Sequence, residues 1–169
     1  MVLENLLSQK RAVILERWFQ LVLETYPADT SGFLKQDKDR FTNPVGYTVS
    51  QEIKIIYEEL LQDMDTDRLT VCLDNIIRIR SVQDFLPSQA VSFIFLLKTA
   101  VREEWARVNG EKDAVEQLLE FELRIDKLVL LALDIYMKCR EKVFEIRVNE
   151  VKAEREMAFK VFERANLVR

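Results

Sequence analysis

IIRIRSVQDFLPSQAVSFIFLLK, residues 76–98, joins two apolar helical patterns across one polar corner. Before the corner, Leu69, Cys72, Leu73, Ile76 and Ile77 recur at three- and four-residue spacing, the period of one helix face. Asp65 or Thr66 suits the N-cap of that helix, which should end near Ser81. After the corner, Pro87 suits a first helical turn. The pattern then runs through SQAVSFIFLLKTAVREEWARV to Asn109-Gly110, a helix-stopping pair. Ala90 to Leu97 is apolar nearly all round, so this helix is expected at the centre of the fold. Two strong helices in succession, with no alternating strand pattern, point to an all-α protein.

The flanking sequence extends the same reading. Upstream, Ile53, Ile56, Tyr57, Leu60 and Leu61 form the stripe of a helix that reaches about Met64, with Thr48 and Gln51 spaced as a capping box. FTNPVG, Phe41 to Gly46, reads as a loop. A short helix is predicted over Thr30–Lys38, capped by Asp29 or Thr30. Leu3, Leu6, Leu7, Ile14, Trp18, Leu21 and Val22 predict one unbroken first helix from Leu3 to Tyr26, ended by Pro27.

Downstream, Glu111 to Arg169 contains neither Gly nor Pro. The expectation is one helix from Asp113 to Asn166. Its part from Leu118 to Cys139 is dense in apolar residues and belongs to the core, with Leu131 and Ile135 inside it and Leu96 and Leu97 opposite. Beyond Lys138 the apolar residues thin to a narrow seam, and residues 140–169 are expected to project as a helical extension of a single domain spanning 1–169. From Lys138 onward there are nine basic and six acidic residues, net +3; with -4 overall, the remainder carries -7. A solvated face with pairs such as Glu156–Lys160 accounts for this charge. A continuous helix of that length outruns its own domain, so Val148, Val151 and Phe162 are candidate seam residues of a homodimer formed through the terminal helix or helix one. The competing outcome is a tail that folds back on its own domain.

Composition narrows the chemistry. No histidine occurs in the 169 residues, which removes the usual general base, the proximal haem ligand and the commonest metal ligand. Three Gly and three Pro leave no phosphate-cradling loop, and GxSxG is absent. Glu58-Glu59 and Glu103-Glu104 are adjacent pairs, and helix neighbours point about 100° apart, so neither pair shares a site. No catalytic, cofactor-binding or metal site is therefore expected. The acidic balance argues against nucleic acid. Cys72 and Cys139 form no CxxC pair and read as reduced, small apolar residues. The charged N-terminus MVLENLLSQKRAVILERW is no signal peptide, and the longest apolar run, Leu128–Met137, is interrupted by Asp134. A cytoplasmic chain without membrane insertion is expected.

Arg78, Arg80, Gln83, Asp84, Ser88 and Gln89 crowd the polar corner between the two apolar helices. Either they brace the junction, with Asp84 capping the next helix or pairing with an arginine, or they recognise a partner or a small ligand. Polar groups in such a place need hydrogen bonds.

Together, FTNPVGYTVSQE (residues 41–52), IIRIRSVQDFLPSQAVSFIFLLK (76–98) and, more loosely, LVLLALDIYMKCREKVFEIRVNEVK (128–152) resemble the N-terminal domain of the RsbR/RsbRD-type co-antagonists. The resemblance implies a globin-like domain without haem that forms homodimers and usually precedes a STAS domain in the stressosome, a bacterial stress-signalling particle. No STAS domain follows before Arg169, so a stand-alone domain is expected. Similar stand-alone domains occur in sulfate-reducing bacteria, which implies a regulatory or accessory role and a signalling or respiratory-complex protein as partner. Two functions compete. One is a dimeric, non-enzymatic sensory or interaction module without cofactor. The other is a carrier that holds an apolar ligand in a globin-like pocket, or a haem on Tyr136, Met137 or Cys139.

Overall fold

The computed structural model describes residues 2–27, 30–32, 41–83, 85–108 and 115–167, with side chains to residue 165. Its helices are α1 (Leu3–Gln9), α2 (Arg11–Glu24), α3 (Pro44–Leu61), α4 (Thr66–Ser81), α5 (Pro87–Ser92), α6 (Leu96–Arg107) and α7 (Val115–Leu167). No strand occurs among the described residues, so the fold is all-α. Of the short helix expected over Thr30–Lys38, residues 30–32 are helical and the rest lies outside the described residues. The spine of the packing is α7 laid along α4 and α5; α3 pairs with α4, α2 crosses between α3 and α6, and α1 rests on α2 and α6.

Helix one is not continuous. It bends at Lys10 (φ -99°, ψ 12°) because the Tyr57 hydroxyl donates to the Leu7 carbonyl at 2.9 Å. In an unbroken helix that carbonyl would accept from Arg11. A side chain that takes a ladder acceptor bends the helix, and the bend lets α1 bury Leu3, Leu6 and Leu7 while α2 buries Trp18, Val22 and Leu23.

The central helix breaks in the same way. The Trp18 indole N–H donates to the Phe93 carbonyl at 2.8 Å, and the Leu97 N–H turns to Ile94 instead, at 3.2 Å. Residues 93–95 tighten into i→i+3 turns, so the expected single helix becomes α5 and α6. Both donors are fully buried.

The third helix starts earlier than its predicted capping box. Asn43 caps it, its side chain accepting from the Gly46 N–H at 2.8 Å, with Pro44 in the first turn. A Cβ on Gly46 would overlap the Asn43 carboxamide, so the cap needs glycine there. Asp65 is the cap of α4, accepting from Asp67 and Arg68. Two arginines of α7 close the other ends. Arg124 donates to the Leu60 and Gln62 carbonyls at the end of α3, and Arg140 to the Ser81 carbonyl at the end of α4. These contacts set the register of α7 against the bundle.

In α7 the core face runs through Phe121, Ile125, Leu128, Ala132, Ile135 and Tyr136, inside the predicted Leu118–Cys139 segment. Leu97 is buried as expected, whereas Leu96 and Leu131 are only partly buried against the core. Leu96 follows the 93–95 turn, which rotates it off the central axis that one straight helix would have given it.

Removing either aromatic donor leaves a buried carbonyl without its partner. Trp18→Phe and Tyr57→Phe should each cost about 1–3 kcal/mol in urea unfolding. Gly46→Ala, which in an ordinary helix gains up to about 1 kcal/mol, should instead lose about 1 kcal/mol with the displaced Asn43 cap.

Candidate functional site

The polar corner divides the six candidate residues. Arg80, in the last turn of α4, is fully buried. Its Nη2 donates to Thr25 Oγ1 and to the Gln89 carbonyl, each at 3.0 Å. Its guanidinium lies 4.2 Å from the Phe85 ring centroid, 5.1 Å from Tyr26 and 5.5 Å from Phe93. Tyr26 and Phe85 meet edge to face at 5.4 Å. The arginine thus ties the end of α2, the end of α4 and the start of α5 together. Arg80 braces the corner, whereas the expected brace through Asp84 lies outside the described residues.

The brace leaves polar groups over. Arginine carries five N–H bonds; Nη2 uses its two, and neither Nε nor Nη1 has an acceptor. The buried Tyr26 hydroxyl and Gln83 Oε1 also lack hydrogen-bond partners. An unmet buried polar group costs about 1–3 kcal/mol, more when charged. Burial pulls the Arg80 pKa below the usual arginine value, and the Tyr26 hydroxyl beside it opposes that pull. A cavity of about 600 Å³, lined by Thr25, Tyr26, Pro27, Thr30, Gln83, Phe85 and Gln89, opens beside these groups.

Of the other candidates, Gln83 and Gln89 line this cavity, and Gln89 Oε1 accepts from the Leu86 N–H at 2.9 Å. Arg78 does not join them. Its side chain is exposed and pairs with Asp74 at 2.6 Å, in a separate groove with Lys138, Cys139 and Lys142. Ser88 is exposed on α5 and lines neither space. Asp84 lies outside the described residues. Thr25 and Tyr26 escaped the sequence reading because the end of α2 meets the corner only through tertiary packing, while Phe85 and Phe93 lie inside residues 76–98 but carry no polar signal of their own.

The possible haem ligands diverge. The Tyr136 hydroxyl reaches the Phe85 carbonyl at 3.5 Å, Met137 is 47% exposed, and the Cys139 thiol sits 3.7 Å from Asp74 Oδ1 in the Arg78 groove. Burial, then Asp74, raise the Cys139 pKa and keep the thiol protonated. The adjacent carboxylates separate as expected: Glu58 pairs with Arg11 and Glu59 with Arg68, while Glu103 pairs with Arg17 and Glu104 with Arg107.

Opposite its core face, α7 carries Leu119, Leu123, Leu130, Leu133, Met137, Phe144, Val151 and Phe162, all exposed. At 100° per residue these fall within one narrow arc. Val148 lies on that arc and is half-buried. From Phe144 to Ala165 every other residue is exposed. No helix among the described residues is long and apolar enough to cross a membrane.

Residues 12–151 match the family model described as the RsbT co-antagonist protein rsbRD N-terminal domain. The chain belongs to this family. The match runs from α2 well into α7, and so contains the whole Arg80 cluster and most of the exposed α7 stripe. An uncharacterized protein of Archaeoglobus fulgidus is 25% identical over 161 residues, covering 92% of this chain and 94% of its own length. No solved structure matches. In this rsbRD-type domain Cys72 is the more deeply buried thiol, and burial followed by Glu52 pushes its pKa from 9.0 to about 12. A proton held more tightly when folded contributes stability that is complete below the unfolded pKa and is lost as pH rises. Thermal unfolding followed from pH 9 toward pH 12 should show a falling midpoint, with a shallower fall in Cys72→Ala.

Proposed function

We propose that this domain is a non-enzymatic sensory or regulatory module that acts through protein contact, as a cytoplasmic homodimer with a globin-like, haem-free helical arrangement. The observation that carries this reading is the apolar stripe on α7. It faces away from the core, and it runs from Leu119 beside the bundle to Phe162 on the exposed segment. The 43 helical steps between them extend about 65 Å at 1.5 Å per residue. Apolar side chains spaced three and four apart on a solvent face are the pattern of a helix that pairs with another helix. The same stripe in a second copy is a complementary surface. Val148, Val151 and Phe162 are its distal seam, and residues 140–169 are its projecting extension.

The family supports a signalling role, since its description is that of a co-antagonist's N-terminal domain. In that arrangement the helix that completes the core also forms the seam, so a change in core packing reaches the partner along one rigid element. The partner is a signalling or respiratory-complex protein. Carriage of haem is disfavoured by the divergence of Tyr136, Met137 and Cys139, whereas the Arg80 cavity favours a small ligand as the signal.

Light scattering at tens of micromolar should report twice the 20.0 kDa chain mass. Val148→Glu with Val151→Glu should give a folded monomer, and Leu123→Glu with Leu130→Glu should do the same. A wild-type monomer rejects the dimer. A dimer that survives both pairs moves the interface to α1 and α2.

A further inference from the structure

We propose that Arg80 anchors a binding site for a small organic monocarboxylate, held in the cavity between the end of α2, the end of α4 and the start of α5. The proposal deepens the sensory reading, on which its purpose rests although its geometry does not.

Five buried side-chain polar atoms among the described residues lack a hydrogen-bond partner. One, Glu59 Oε1, is ion-paired with Arg68. The other four are Arg80 Nε, Arg80 Nη1, the Tyr26 hydroxyl and Gln83 Oε1, and all gather at this corner. Each unmet buried polar atom calls for an explanation, and these four stand together beside one cavity. A brace needs only Nη2, which already reaches Thr25 and Gln89. The remaining N–H bonds and the charge are left for something else.

The lining defines what that is. The lining residues among those described carry no charge, and the Arg80 guanidinium stands behind them. One positive charge in an apolar surround balances one negative charge, which favours a carboxylate over a doubly charged phosphate. Tyr26 can donate to a carboxylate oxygen, and Gln83 Oε1 accepts a hydroxyl or N–H from elsewhere on the ligand. Phe85, Pro27 and the Tyr26 ring supply apolar walls. The volume of about 600 Å³ suits a small organic molecule. Phe85 both lines the cavity and covers the guanidinium at 4.2 Å, so rotation of this partly exposed ring opens Arg80 to the cavity. Tyr136 of α7 bonds the Phe85 carbonyl, which connects the site to the helix that bears the seam.

The test uses the full chain with acetate, benzoate and 4-hydroxybenzoate as probes, and benzamide and inorganic phosphate as controls. Thermal shift reads binding, and the ¹⁵N–¹H resonance of Arg80 Nε reads its place. At least one carboxylate should raise the melting temperature and move that resonance, with benzamide and phosphate silent. Arg80→Met replaces the charge by an apolar chain of similar length and should abolish binding. If that variant does not fold, Tyr26→Phe and Gln83→Leu serve instead: Tyr26→Phe should weaken every bound carboxylate several-fold, and Gln83→Leu should weaken 4-hydroxybenzoate selectively. Silence of all three carboxylates overturns the proposal, as does equal binding by Arg80→Met, equal binding of benzamide, or a response to phosphate alone. Binding that persists in a monomeric Val148→Glu, Val151→Glu chain upholds the site whatever becomes of the dimer. A dimer without carboxylate binding leaves the module standing and removes this site.

Discussion

One hydrogen bond sets the geometry on which the rest depends, that from the Trp18 indole to the Phe93 carbonyl at 2.8 Å. It takes the acceptor that the central helix would use to continue past Phe93. The chain answers with three tight residues and a change of direction. That turn lets α5 lie against α7 while α6 lies against α2. It also places Phe93, Gln89 and Phe85 around the end of α4, where Arg80 stands. A straight helix from Pro87 to Val108 would leave this corner without its wall. The bond from Tyr57 to Leu7 does the same on a smaller scale, bending the first helix so that both halves reach the core. In each case a buried aromatic provides apolar bulk and a single donor, and the donor is spent on a backbone acceptor.

The long helix has two surfaces with different tasks. Its inner face closes the bundle through Ile125, Leu128, Ala132 and Ile135, and Arg124 and Arg140 cap the ends of α3 and α4. These caps prevent the helix from sliding by a turn, since a slide would leave the last carbonyls of both helices unmet. Arg102–Glu122 and Lys98–Asp126 tie the same helix to α6 at its edge. The outer face remains apolar and exposed. A rigid rod held in fixed register and carrying an apolar outer stripe suits transmission along its axis.

Arg80 is the point of tension in this fold. It contributes to the junction through Nη2, yet keeps a charge and unmet donors in an apolar surround. Well-packed apolar residues would stabilise such a corner more simply. Filling the proposed site would convert ligand binding into a change of packing. The Tyr136 hydroxyl, 3.5 Å from the Phe85 carbonyl, joins this corner to α7.

Much of this protein was legible in its sequence, and the remainder was not for a definite reason. Helical period, Pro27 and Pro87 as boundaries, Asp65 or Thr66 as a cap and the breaker-free final segment are signals that act over a few residues. They determined an all-α chain with one long terminal helix, and the missing histidine by itself narrows its chemistry. Asn43 as the cap of α3 was equally local, but its Asn-Pro pair was read as loop because Gly46 followed closely. The breaks at Lys10 and Phe93 had no local signal, since the donors that cause them stand 50 and 75 residues away in sequence. The candidate corner shows the same division. Its polar crowding was visible in residues 76–98, but only the folded chain separated Arg80, Gln83 and Gln89 from Arg78 and Ser88. Side-chain donors choose their acceptors after the helices pack, so the sequence determined where helices could form, and the tertiary structure decided where they broke and which arginine kept unmet donors.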